Sequence, residues 1–184
     1  MKVESYIEIT PNSVVLNGQA IAVEATGEKM LVELYRRFVG DYPKFFKMDT
    51  LSRLGFIAAE LLLKQSGASE HSDKSCQPTA VILANRSASI KNDRDYLATI
   101  SEGNYYPSPS LFVYTLPNIV TGEIAIRHHI QGETAFYILE KPEDLEPIIK
   151  SQITNDQSPI LYGWCECSEP NSFYAKMQLI IWNN

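Results

Sequence analysis

No stretch of this sequence approaches the roughly 18 consecutive apolar residues of a membrane-spanning helix, so a span is not expected. Histidine and cysteine are scarce, with three of each. An odd set of cysteines, Cys76, Cys165 and Cys167, does not suit a disulfide framework. The start, MKVESYIEITPN, offers acidic and polar residues where a secretory leader needs a basic and then an apolar stretch. A cytoplasmic location is expected. Basic residues number 16 against 22 acidic ones, a net charge of −6, and no stripe of Lys and Arg interleaved with aromatics stands out. That argues against broad contact with nucleic acid, which needs clustered cations to neutralise phosphates. Glycine-rich phosphate loops are also missing, because Gly103, Gly122, Gly132 and Gly163 stand alone.

What is present is an ordinary globular composition, 45% apolar and 10% aromatic over 184 residues, enough for one domain with a real core. Residues 5 to 23 read as two short strands around turn signals at Pro11-Asn12 and Asn17-Gly18, an entry hairpin or an edge decoration. Glu28 to Phe38 carries helical spacing and stops at Gly40. An aromatic connector, Tyr42 to Met48, leads to Asp49 and Thr50, which can cap a long helix ending near Gly67. Leu51, Leu54, Ala58, Leu61 and Leu62 share one face of it, and Phe56, Ile57 and Leu63 extend the apolar surface, as for a helix packed on two sides.

Thr79 to Ala84 reads as a buried parallel strand and Lys91 to Ile100 as a short helix. Ser108 to Leu139 is the organising stretch. Behind Pro107 and Pro109 an apolar run extends from Leu111 to Ile130, broken at Pro117 and Gly122. Ile119, Gly122, Glu123, Ile126 and Ile130 recur at helical intervals and are expected to mark the buried face. Gly132 makes a turn, and Ala135 to Leu139 form a strand. Lys141 to Gln152 reads as a helix, Pro159 to Glu166 as a strand, and Ala175 to Trp182 as an antiparallel or edge strand. This alternation is that of an α/β domain.

Catalytic constellations are hard to find. His71 lies in a polar loop, and His128 and His129 close a helix, where a cation interacts favourably with the dipole. Asp93 and Asp95 flank Arg94 at a spacing that points them apart on a helix. Alternation sends Cys165 and Cys167 to one face of a strand, but no further ligands accompany them for a metal.

The run YPKFFKMDTLSRLGFIAAELLLKQSG resembles the early helix of the β-ketoacyl-ACP synthases, and TAVILANRSASIKNDRDYL resembles the buried strand and loop that follow it. SPSLFVYTLPNIVTGEIAIRHHIQGETAFYIL is similar to the Ser-Pro-Phe-Phe…Leu-x-Asn…Gly-x-Ile-x-Ile…Gly-Pro stretch leading to that family's active-site cysteine. ILYGWCECSE and AKMQLIIW stand where the last strands of its first half would. The resemblance runs in order from Tyr42 to Trp182. It implies a thiolase-like α/β half-fold, a mixed, mostly parallel sheet with helices on both faces, spanning residues 1–184 as a single β-ketoacyl synthase N-terminal-like domain.

The departures bear on function. Counting from Gly132, the family's nucleophilic cysteine position falls on or next to Glu140-Lys141, with Pro142 following, so no thiol is present there. The family's assisting histidines belong to a second half that this sequence does not contain, and His128 and His129 do not match them. A chain without condensing activity, cofactor or metal is expected. The resemblance further implies that Glu133, Thr134, Ala135, Phe136, Tyr137, Ile138 and Leu139 form the strand that pairs across a two-fold axis, with Phe136 and Tyr137 as acyl-tunnel wall candidates. The expected partner is a full-length, cysteine-bearing ketosynthase, with an acyl carrier protein as a further contact. The role would be that of a chain-length-factor-like subunit in fatty-acid or polyketide synthesis of the aryl polyene or flexirubin type. Two alternatives stand beside it: a homodimeric acyl- or acyl-carrier-protein-binding module, and a hydrolase built around His128 or His129.

Overall fold

The computed structural model describes residues 2–66, 78–103, 106–152 and 159–181. Gly67, His71, Cys76 and Trp182 lie outside them. Seven strands form one sheet: β1 (Lys2–Thr10), β2 (Ser13–Leu16), β3 (Gln19–Ala20), β4 (Ala80–Asn85), β5 (Thr134–Ile138), β6 (Ile160–Glu169) and β7 (Ser172–Ile181). Their order across the sheet is β3-β2-β1-β7-β6-β4-β5. The expected mixed sheet is there, but its parallel part is confined to the pairs β4–β5 and β4–β6, and every other pair is antiparallel. β7 is antiparallel as expected and lies inside the sheet between β6 and β1, not at an edge. The β1–β3 meander supplies the strand that covers it.

Among the described residues there are also six helices: α1 (Glu28–Phe38), α2 (Thr50–Gln65), α3 (Ile90–Leu97), α4 (Pro109–Val113), α5 (Ile119–His128) and α6 (Leu145–Gln152). The aromatic connector is a 3-10 turn at Pro43–Lys47. Asp49 caps α2 by accepting a hydrogen bond from the Ser52 N–H at 3.0 Å. From Thr50 to Leu63 all but one residue of α2, Arg53, is buried, which fits a helix packed on two sides. Its partners are the inward residues of β1, β6 and β7 on one side, among them Ile7, Ile9, Leu161, Met177 and Leu179, and α1 and α5 on the other. A second, smaller cluster on the opposite face of the sheet joins Ile82, Ile160, Trp164 and Ile180 to Leu145 and Ile149 of α6.

The apolar run 111–130 divides into α4 and α5 around Pro117, and the buried face of α5 is turned from the expected one. Val120, Thr121, Glu123, Ile124 and His128 face inward, while Ile126 is exposed. Contact with α2 sets this orientation: a Cβ on Gly55 would lie 2.4 Å from Val120 Cγ2, so the two helices meet where α2 has no side chain. A period of 3.6 shows that a helix is amphipathic, but the face that wins is the one complementary to its neighbour.

The N-terminus of α1 lacks a local cap, and Gly27 stands at the N-cap position. Asn171, in the β6–β7 turn, accepts the Glu28 N–H at 3.0 Å in its place. Asn171→Ala removes this bond between remote segments and is expected to lower stability by about 1 kcal/mol. Thermal melting checks it, and an unchanged midpoint would assign the contact no weight.

Candidate functional site

Among the described residues β5 is the last strand of the sheet and pairs only with β4. It begins where Gly132 passes so close to the backbone that a Cβ would lie 2.0 Å from the Thr79 carbonyl oxygen. The Val81 N–H donates to the Glu133 carbonyl and the Leu139 N–H to the Asn85 carbonyl, each at 2.8 Å. In a parallel ladder bonding alternates along the strand, so Glu133, Ala135, Tyr137 and Leu139 bond inward. Thr134, Phe136 and Ile138 turn their N–H and C=O groups outward. TAFYI carries no charge and no proline, the features by which exposed edges are usually protected. Consecutive side chains take opposite faces: Phe136 packs against the larger cluster and Tyr137 and Leu139 against the smaller.

At the C-terminal end of β5 the chain passes through Glu140 and Lys141 into a turn and then α6. Glu140 forms an exposed ion pair with Arg86 at 2.9 Å, and Lys141 precedes a 3-10 turn at Pro142–Asp144 that leads into α6. No thiol is at hand. Cys165 and Cys167 point together into the larger cluster, as alternation predicts. Burial pushes the Cys165 thiol up well above its usual value. Burial, with Asp49 nearby, pushes Cys167 up to about 12. A buried thiol held in its neutral form is a poor nucleophile. The neighbouring strand ends are tied by Glu166, whose carboxylate accepts the Arg86 N–H at 2.9 Å and the Ser87 hydroxyl.

The histidines part company. His129 is the left-handed C-cap of α5 and is exposed. His128 is buried, with Nε2 3.1 Å from Glu60 Oε1, and neither ring nitrogen has a hydrogen-bond partner among the described residues. Arg127 bridges Glu60 and Asp41 at 2.9 Å each. Burial would raise the Glu60 carboxyl, but His128 and Arg127 together hold it below the ordinary carboxylate range. Beside this network Tyr42 donates to Glu123 at 3.0 Å, and burial with that carboxylate pushes the phenol up to about 12. No nucleophile hydrogen-bonds to His128, so the cluster clamps α5 to α2 and to the segment before the 3-10 turn. The spacing within each helix did not reveal it, because Arg127 lies 67 residues from Glu60 and 86 from Asp41 in sequence.

Asp93 and Asp95 take local partners, Ser89 and Lys91, as helix-start residues do. A groove of about 520 Å³ opens on the α6 side of the sheet, among Pro142, Glu146, Tyr162, Trp164 and Tyr174. Among the described residues no group of three His, Cys, Asp or Glu could hold a metal ion, and no helix is long and apolar enough to cross a membrane.

No family model and no curated protein matches the chain by sequence. Solved structures do match by fold. A ketosynthase (ApeO) in complex with its chain length factor (ApeC) from Xenorhabdus doucetiae is similar at a TM-score of 0.63 and 11% identity, over 99% of this chain and 79% of that one. The ishigamide ketosynthase/chain length factor is similar at a TM-score of 0.70 and 14% identity, over 98% of this chain and 61% of that one. A sheet edged by β5, a strand–helix junction behind it and a likeness spanning nearly the whole chain agree: this protein has the thiolase-like fold of the ketosynthase and chain length factor structures.

Proposed function

We propose that this chain is a non-catalytic ketosynthase-like subunit that pairs through β5 with a cysteine-bearing ketosynthase and supports that partner's acyl chemistry. The observation that carries the reading is an uncharged edge strand, Thr134–Ile138, whose outward backbone groups have no neighbouring strand among the described residues, followed by a junction with Glu140 and Lys141 in place of a thiol. An edge strand left in this state invites antiparallel addition of another chain. Acyl transfer needs a nucleophile, and neither a carboxylate paired with Arg86 nor an ammonium supplies the thiolate that the family uses. Support also comes from the similar solved structures, which are a ketosynthase with its chain length factor in one case and a ketosynthase/chain length factor in the other.

Within this reading the whole chain acts as one ketosynthase N-terminal-like domain in the cytoplasm, without a cofactor. The pathway is fatty-acid or polyketide synthesis of the aryl polyene or flexirubin type, and the acyl carrier protein is a further contact of the assembly. Phe136 and Tyr137 are the tunnel-wall candidates, one from each face of the sheet. The test is purification of the tagged chain from its native host, with mass spectrometry and sizing of what accompanies it. A ketosynthase recovered near one-to-one is the expected result. The chain alone as a homodimer would transfer the role of β5 to self-pairing in an acyl- or carrier-binding module.

A further inference from the structure

The groove of about 520 Å³ lies on the face of the sheet opposite α2, where α6 packs on Ile82, Ile160, Trp164 and Ile180. Alternation along the strands places Tyr162 and Trp164 of β6 on this face, with Tyr174, Lys176 and Gln178 of β7 beside them. In the antiparallel ladder Trp164 stands directly opposite Lys176, and Tyr162 directly opposite Gln178. Side chains so paired on one face are neighbours. No residue of β5 lines the groove.

The polar groups that remain unbonded in it are donors. Trp164 is only 7% exposed, yet its indole N–H is not sealed from solvent and has no acceptor among the described residues. Lys176 has neither an ion-pair nor a hydrogen-bond partner among them. The Gln178 side-chain carbonyl accepts the Tyr162 hydroxyl, which leaves the Gln178 amide N–H groups to donate elsewhere. An indole N–H and an ammonium can only donate. Glu8, opposite Lys176 on β1, makes no ion pair with it and lies instead by the Tyr174 hydroxyl. Burial, with Glu8 beside it, pushes the Tyr174 phenol up to about 12.

Adjacent unbonded donors, one of them charged, suit an anionic acceptor, and charge-assisted bonds of that kind are the strong ones. A carboxylate has two oxygens and can take the ammonium and the indole N–H together. The aromatic side chains around these donors suit a flat ring, which they can meet edge-on or by offset stacking. The volume is that of a small-molecule site. Glu143 and Glu146 stand exposed at the rim, Glu146 paired with Lys150 at 2.8 Å, and they oppose a ligand carrying several negative charges.

We infer that the groove between α6 and the β6–β7 hairpin binds a small aromatic monocarboxylate, its carboxylate held by Lys176 and the Trp164 N–H and its ring by Tyr162 and Tyr174. This site does not depend on the pairing of β5.

The experiment is calorimetric titration of the full chain with naphthalene-2-carboxylate, for wild type, Lys176→Gln, Lys176→Arg and Trp164→Phe, with melting of each variant to confirm folding. Saturable one-to-one binding with a Kd below about 1 mM is expected, weakened about tenfold or more by Lys176→Gln and by Trp164→Phe, which keeps a ring but loses the N–H. Lys176→Arg keeps the cation and should bind within a few-fold of wild type. Naphthalene-2-carboxamide, the uncharged analogue, should bind about tenfold more weakly or worse. No saturable binding by the wild-type chain, or wild-type affinity in Lys176→Gln, would overturn the site. Octanoate bound as tightly as the naphthoate would overturn the aromatic class in favour of an alkyl chain. Tighter binding of naphthylmethylammonium would overturn the charge assignment in favour of a cation held by Glu143 and Glu146.

Discussion

Ile138→Pro is expected to weaken association with the ketosynthase by about two orders of magnitude while leaving this chain folded. The N–H at position 138 points away from β4, since the ladder on that side uses positions 133, 135, 137 and 139. Proline therefore removes a donor that only an added strand would use, and its ring stands where that strand must approach. Tyr137, before it, is already extended, as a residue preceding proline prefers. Loss of one or two interstrand hydrogen bonds, each worth about 0.5–1.5 kcal/mol, together with the steric block, gives the stated effect. Ile138→Thr keeps the N–H and the β-branched shape and should bind like wild type. Analytical sizing of the mixed chains reads the outcome, and an Ile138→Pro chain that still forms the complex would show that β5 is not the pairing strand.

Glu60→Ala is expected to cost about 3–5 kcal/mol, the effect of leaving buried charges without their partner. Arg127 would keep Asp41 but lose Glu60, and His128 would lose the carboxylate that lies 3.1 Å from its Nε2 across the α2–α5 contact. At about 2–4 °C per kcal/mol for a chain of this size, the melting midpoint should fall by about 10 °C. The pH dependence has a definite sign. The folded Glu60 carboxyl lies below its ordinary value of 4.5, so its contribution is complete above that value and is lost as pH falls through the folded value. The stability difference between wild type and Glu60→Gln should therefore be flat at neutral pH and shrink in acid, below about pH 4.5. A difference that stays constant into acid would show that the ionised form of Glu60 contributes no stability here.

Much of the element order was legible because it is written in local chemistry. Asn17 and Gly18 both take positive φ in the β2–β3 turn, Gly40 ends α1, and Asp49 caps α2. Each effect acts within a few residues, so each is visible in a short window of sequence. The apolar continuity of Thr79 to Ala84 likewise predicts a strand buried on both faces, and five of the six residues of β4, Ala80–Asn85, are buried. The motifs from Tyr42 onward pointed to the fold that the solved structures share. α4 was less visible, since five residues between Pro109 and Val113 are too few for periodicity to register.

Sequence alone determined most of the order of helices and strands, that the segment after β5 carries Glu140 and Lys141 instead of a thiol, and that Cys165 and Cys167 share a face. Spacing decides these things, and spacing is covalent. Tertiary structure alone decided that β7 lies inside the sheet, that α5 turns Ile126 outward, that Glu60, Arg127, His128 and Asp41 meet, and that β5 ends the sheet among the described residues. Those outcomes depend on which surfaces from distant parts of the chain fit together. Such complementarity is a property of pairs of elements, and no single segment encodes it.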